Sequence, residues 1–261
     1  MDYTQTKPVF TKNHDGSFTP TEEAHLLNDI FSMISGKPKS TISPYRIPEA
    51  GFGQGGGFVA FAEPDKVRVD PLNKSGHVLA HELAHIHLQT DLGKKNAHNH
   101  LNSLDPMKPG DIPPLHNPNK GAGLRHHYEM YIAPTLTEEA SAQGGAYAGM
   151  ELLGYGSPEI QQARRKEISG WPTPTAYPQD FTNKYLNRLK INPLHKESRK
   201  DPSWQQELDN IKQNASIRAN REFEKSRNRV LNFIPDGGGG HTLKDISSGI
   251  RGLATSLANK L

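Results

Sequence analysis

His77-Val78-Leu79-Ala80-His81-Glu82-Leu83-Ala84-His85 sets four ionisable side chains on an apolar background. Residues 75–89 read as one helix. On that helix His81 and His85 lie one turn apart and project from one face, so both imidazoles can reach a single ion about 2 Å away. Glu82 sits one residue round, within reach of a water on that ion. This is the HExxH pattern. A chance occurrence is expected only about 0.03 times in a chain in which His and Glu are each near one residue in twenty.

The setting agrees with the motif. Phe58–Ala62 and Lys66–Asp70 are β-rich and separated by Glu63-Pro64-Asp65, which predicts a small antiparallel hairpin leading by a short turn into the helix. Val67 and Val69 alternate with Arg68 and Asp70, the mark of a half-buried strand that could sit at a sheet edge. Further upstream, Leu26, Leu27, Ile30, Phe31, Met33 and Ile34 recur at helical spacing, with Thr21 as cap and Gly36 and Pro38 closing the segment. They predict an amphipathic helix over 21–35. Residues 1–18 are polar and irregular and read as a flexible leader.

Composition bounds the chemistry. The chain has 261 residues, 33% of them hydrophobic, with 24 Gly and 20 Pro, so much of its length is loop around a modest core. Cysteine is absent, which excludes disulfides, Cys-based zinc sites, iron–sulfur clusters and thiol nucleophiles. Any metal is therefore held by His and carboxylates. Of 13 histidines, nine (77, 81, 85, 87, 98, 100, 116, 126 and 127) fall between His77 and His127.

Catalytic zinc takes three protein ligands and leaves one position open. The downstream candidate is a helix over 136–153 that begins Leu136-Thr137-Glu138-Glu139-Ala140-Ser141-Ala142-Gln143-Gly144-Gly145. A carboxylate here can approach from a helix packed on the motif helix, and the small residues Ala140, Ala142, Gly144 and Gly145 permit that approach. Glu138 and Glu139 both qualify, and carboxylates are also simply favourable in a first helical turn.

HExxH followed by a helical Glu-Ala pair resembles the gluzincin group of zinc peptidases. That resemblance covers 66–153, about a third of the chain. It implies Zn2+ held by His81, His85 and Glu139, with Glu82 as general base on a water whose pKa the metal lowers, and hydrolysis of a peptide bond in a protein substrate. Glu138 is the competing ligand. Gln143 stands where the family usually has an Asp supporting a ligand histidine, so less charge is expected behind His81. The short HELAH core, the Glu138-Glu139 helix, the missing cysteine and the missing signal also look similar to zinc metalloprotease effectors that Gram-negative bacteria inject into host cells. A metzincin pattern fits less well: Asp91 matches its last position, but Leu88 stands where that pattern needs glycine.

The remaining polar residues are less determined. His77 lies one turn before His81 as a supporting or rim residue, whereas His87 is about 200° round from His85 and faces away from the ion. His98, His100 and His116 sit in a Pro/Gly/Asn-rich stretch, 91–123, expected to form a wall or lid. His126, His127, Tyr128, Tyr131 and Tyr147 are candidates to donate to an oxyanion, and spacing does not choose among them. If Lys66–Asp70 is an edge strand, an extended peptide can add to it and lie across the metal.

The second half predicts helices opening at Ser157-Pro158 and near 179–190 and 203–231, the last with a buried stripe of Trp204, Leu208, Ile211 and Ala215. Net charge is +3, too small to argue for nucleic acid, although residues 184–229 hold 12 Lys/Arg against 6 Asp/Glu. That basic run is a solvated face or a surface for an acidic partner, so a metal-storing, partner-binding module is the rival from another class. An HExxH hydrolase acting on a non-peptide amide is a second rival. Asp236-Gly-Gly-Gly-Gly-His241 reads as a flexible linker. Leu243, Ile246, Ile250, Leu253 and Leu257 beyond it form a narrow seam, on a helix that packs back on the body or docks elsewhere.

No window approaches a membrane span, and MDYTQTKPVF lacks a conventional secretory signal, so cytoplasmic residence or export by another route is expected. The expected fold is α+β: a small antiparallel or mixed sheet on the motif helix and the Glu-bearing helix, with a helical C-terminal extension. Its divisions are a leader (1–18), a metallopeptidase domain (19–190), a basic helical extension (191–235), a glycine linker (236–241) and a C-terminal amphipathic helix (242–261).

Overall fold

A computed structural model describes residues 7–45, 60–71, 76–88, 121–156, 160, 173–192, 195–236 and 239–248. The architecture is α+β. Two compact units are present: Met1–Gln89 with Ser141–Pro174 and Phe223–Leu261, and Thr90–Ala140 with Thr175–Glu222.

In the first unit, β1 (Phe10–Lys12) and β2 (Phe18–Pro20) pair antiparallel. Residues 7–20 are therefore structured rather than part of a leader, because Val9 and Phe10 are buried in the core and the Phe10 and Phe18 rings meet edge to face. Thr21 then caps α1 (Glu22–Ser35) by accepting from the Ala24 N–H, and Gly36 ends the helix at φ +67°, a left-handed conformation that suits glycine.

β3 (Thr41–Pro44), β4 (Ala60–Ala62) and β5 (Lys66–Val69) form one mixed sheet in the order β3-β5-β4. β4 and β5 are the expected antiparallel hairpin, closed by the Glu63 N–H donating to Lys66 O at 2.7 Å. The edge position expected for Lys66–Asp70 is overturned. β3 pairs parallel to β5 on its other side, so β5 is central and Val67 and Val69 are fully buried. β4 and β3 flank it.

On this sheet and on α1 packs α2 (Gly76–Leu88). Next come α3 (Gly121–Tyr131) and α4 (Ala133–Leu152), the latter one continuous helix. The close approach expected from its small residues is divided between two neighbours. A Cβ on Gly145 would stand 3.0 Å from Ala84 Cβ of α2, whereas one on Gly144, about 100° round, would strike the Phe223 carbonyl.

The second unit buries Leu124, Tyr128, Ile132, Leu136 and Ala140 against α5 (Ala176–Ile191) and α6 (Pro202–Leu231). Trp204, Leu208, Ile211 and Ala215 form the expected stripe, each at most 2% exposed. Much of the basic segment is engaged within the units. Arg218 pairs with Glu129 at 2.7 Å, Arg227 with Glu151 at 2.8 Å, and Lys184 with Asp180 at 2.8 Å, while Arg199 donates to the carbonyls of Lys190, Asn192 and His195.

Past the glycines, residues 243–248 are helical. The Thr242 N–H donates to Asp245 and the Asp245 N–H to Thr242 Oγ1, a reciprocal cap. Leu243 packs into the first unit's core. Ile250, Leu253 and Leu257, the Ser157-Pro158 opening of the expected helix and the stretch 91–120 lie outside the described residues, while Ile160 of that helix is helical and buried in the first unit's core. Among the described residues no helix is long and apolar enough to cross a membrane.

Candidate metal centre

α2 is covered on all sides. Every one of its residues is buried except Glu82, which is half-buried. An otherwise dry helix therefore keeps one carboxylate within reach of water, between two buried imidazoles.

Those imidazoles converge. The Nε2 atoms of His81 and His85 are 3.0 Å apart, and the rings are nearly perpendicular with centroids at 4.6 Å. Half-buried Glu139 on α4 completes a group whose ligand atoms all lie within 4.8 Å of one another. Two nitrogens each about 2 Å from one ion are at most about 4 Å apart, so the pair fits a shared ion. Two imidazole nitrogens and one carboxylate suit zinc and other borderline divalent metals. His81, His85 and Glu139 can hold a metal ion. Glu138, one position earlier and about 100° round α4, is not in this group.

Gln143, one turn beyond Glu139, is 1% exposed, and its Oε1 has no hydrogen-bond partner among the described residues.

His77 is buried with its ring edge-on to Tyr147 at 5.4 Å, and Tyr147 also meets Phe223. His87 faces away from the metal group, as expected, and is packed. Its ring nitrogens contact Ser35 Oγ and Ser40 Oγ, and burial, aided by nearby Lys37, pushes its pKa down to about 4. Tyr128 belongs to the second unit's core, where its hydroxyl meets Thr182 Oγ1 at 2.7 Å. His126 is exposed. His127 is half-buried beside Tyr131, 3.0 Å from the Tyr185 hydroxyl. Asp91, His98, His100 and His116 lie outside the described residues.

The residues that hold the end of α2 were not legible beforehand. Lys37 Nζ donates to Ile86 O at 2.8 Å and Arg229 Nη1 to Leu88 O at 3.2 Å, two cations on the terminal carbonyls of the motif helix. Arg229 is 141 positions from Leu88, so no local pattern marks it. Compared with known protein families, with curated proteins and with solved structures, the chain matches none.

Proposed function

We propose that this chain is a zinc-dependent metallopeptidase that hydrolyses peptide bonds in protein substrates. The observation that carries the reading is the pairing of a converging His81–His85–Glu139 group with Glu82, the one half-buried side chain on α2. Zinc, when bound, supplies the Lewis acidity that brings water towards a pKa near 7 and polarises a carbonyl. Glu82 accepts a proton from the attacking water and delivers it to the departing amine, which needs a carboxylate that is near the ligands and not itself one. His81 and His85 must present neutral Nε2 atoms.

Among the described residues β4 is a short antiparallel edge beside α2, and an extended peptide adding there has its main-chain hydrogen bonds satisfied. This replaces β5 as the proposed substrate strand. Export as a bacterial effector is part of the same proposal and rests on the HELAH core and the Glu138-Glu139 helix.

Glu82→Ala tests the reaction. Incubated with a protein mixture, the wild-type chain generates new termini detectable by mass spectrometry, and the variant retains its metal but generates none. A variant that cleaves as fast as wild type removes Glu82 from the mechanism. A metal-loaded wild type that yields no new termini removes the peptidase reading and leaves metal binding or another amide.

A further inference from the structure

α2 carries a buried histidine outside the metal group, and that histidine has partners of its own. His87 is 3% exposed; its Nδ1 is 2.8 Å from Ser35 Oγ and its Nε2 3.1 Å from Ser40 Oγ. Ser40 is itself fixed on both main-chain groups: Asn28 Nδ2 donates to its carbonyl at 2.6 Å, and its N–H donates to Asn28 Oδ1 at 3.0 Å. Ser35 Oγ accepts from the Lys37 N–H at 3.1 Å, and Lys37 Nζ reaches Ile86 O of α2. Phe31 stacks on the imidazole with centroids 6.5 Å apart. The end of α1 and the chain leading into β3 thus grip a ring projecting from α2 at both its nitrogens.

Such a network is costly to bury unless every member is satisfied, and once satisfied it specifies one geometry. Elsewhere Leu79, Leu83 and Ala84 of α2 pack in the apolar core, which tolerates small rolls and slides far better than hydrogen bonds do, and the Lys37 and Arg229 hydrogen bonds reach main-chain carbonyls at the end of the helix rather than a side chain projecting from it. Orientation matters here because ligand nitrogens stand roughly 7 Å from the helix axis, where a roll of about 15° displaces them by about 2 Å, the length of a metal–nitrogen bond. A helix is stiff over two residues, so the roll set at His87 is the roll at His85 and His81.

We propose that His87, held by Ser35 and Ser40, is a positioning residue that fixes the roll of α2 and so aims His81 and His85 together at the ion position they share with Glu139. The proposal rests on the metal group and not on peptide hydrolysis. Cobalt(II) is the probe, with affinity read by chelator competition and geometry by its visible absorption bands.

The Ser35→Ala/Ser40→Ala variant binds cobalt 10- to 100-fold more weakly, the usual effect of removing support behind ligands, and its bands change in intensity and position. Ser40→Thr, which keeps the hydroxyl, stays within about threefold of wild type. Tyr155→Phe removes a 2.7 Å hydrogen bond to Glu23, next to Gly76 at the opposite end of α2. It lowers stability without moving affinity or spectrum. If the double variant does not fold, Ser35→Ala and Ser40→Ala singly show the same weakening on a smaller scale. Alanine variants with wild-type affinity and bands overturn the proposal, as does an equal affinity loss in Tyr155→Phe. Wild-type protein that binds no cobalt overturns the metal group along with it.

Discussion

Gly145 of α4 meets Ala84 of α2 with no space for a side chain between them: a Cβ at position 145 would lie 3.0 Å from Ala84 Cβ and 2.5 Å from Leu88 Cδ1. Ala84 lies beside His85, and Gly145 is six residues beyond Glu139. This contact therefore lies beside one member of the metal group and on the same helix as another.

Gly145→Val is expected to cost about 1–3 kcal/mol, the usual range for overpacking, and to weaken metal binding in the molecules that remain folded. Gly144→Ala is worse for stability, about 3 kcal/mol or more, because its obstacle is the Phe223 carbonyl and backbone cannot swing aside as the Leu88 side chain can. Urea unfolding ranks the two. A Gly144→Ala protein as stable as wild type contradicts this packing.

Burial raises the Glu23 carboxyl above its ordinary 4.5, against the lowering effects of the Tyr155 hydrogen bond and of Lys7. The sign follows from linkage: the folded state holds this proton at pH values where the unfolded state has released it. Glu23 therefore contributes stability below pH 4.5 that is lost as pH rises through the folded pKa. Glu23→Gln removes that loss, so the difference in stability between pH 4.5 and pH 8 shrinks in the variant. An unchanged pH profile disproves the assignment.

His195 in the second unit runs the other way. It is 1% exposed, tilted against Trp204, and lowered from 6.5 first by burial and then by Arg199. The unfolded chain takes up a proton that the folded unit resists, so this stability is present above pH 6.5 and lost as pH falls below it. His195→Phe is expected to flatten the acid side of the unfolding curve, as measured by chemical denaturation between pH 7 and pH 5. A steeper acid limb in the variant would contradict the sign.

Local signals carried α1, α2, α6 and the β4–β5 hairpin. Thr21 and Gly36 mark the ends of α1 chemically, and the Trp204 stripe repeats with the helix. Non-local pairings were not legible. β3 is four residues long and ends in Pro44, a residue that argues against a strand, so nothing in Thr41–Pro44 announces its parallel partner. That omission placed β5 at an edge. Leu124, Tyr128 and Ile132 do repeat at helical spacing, but Gly121 and Gly123 and the loop-like composition before them hid the start of α3. The two histidines of the metal group were legible because HExxH encodes their spacing within one helical turn, whereas Glu139, on another helix, was one of two candidate carboxylates. Ser35, Ser40 and Lys37 were not, since their link to α2 spans about fifty positions of chain.

Metal stoichiometry by elemental analysis of wild type, Glu138→Ala and Glu139→Ala, each purified folded from zinc-supplemented medium, tests the centre most directly. The predicted result is one zinc per chain in wild type and in Glu138→Ala, and little or none in Glu139→Ala. Zinc retained in Glu139→Ala, or lost from Glu138→Ala instead, would contradict the His81–His85–Glu139 centre.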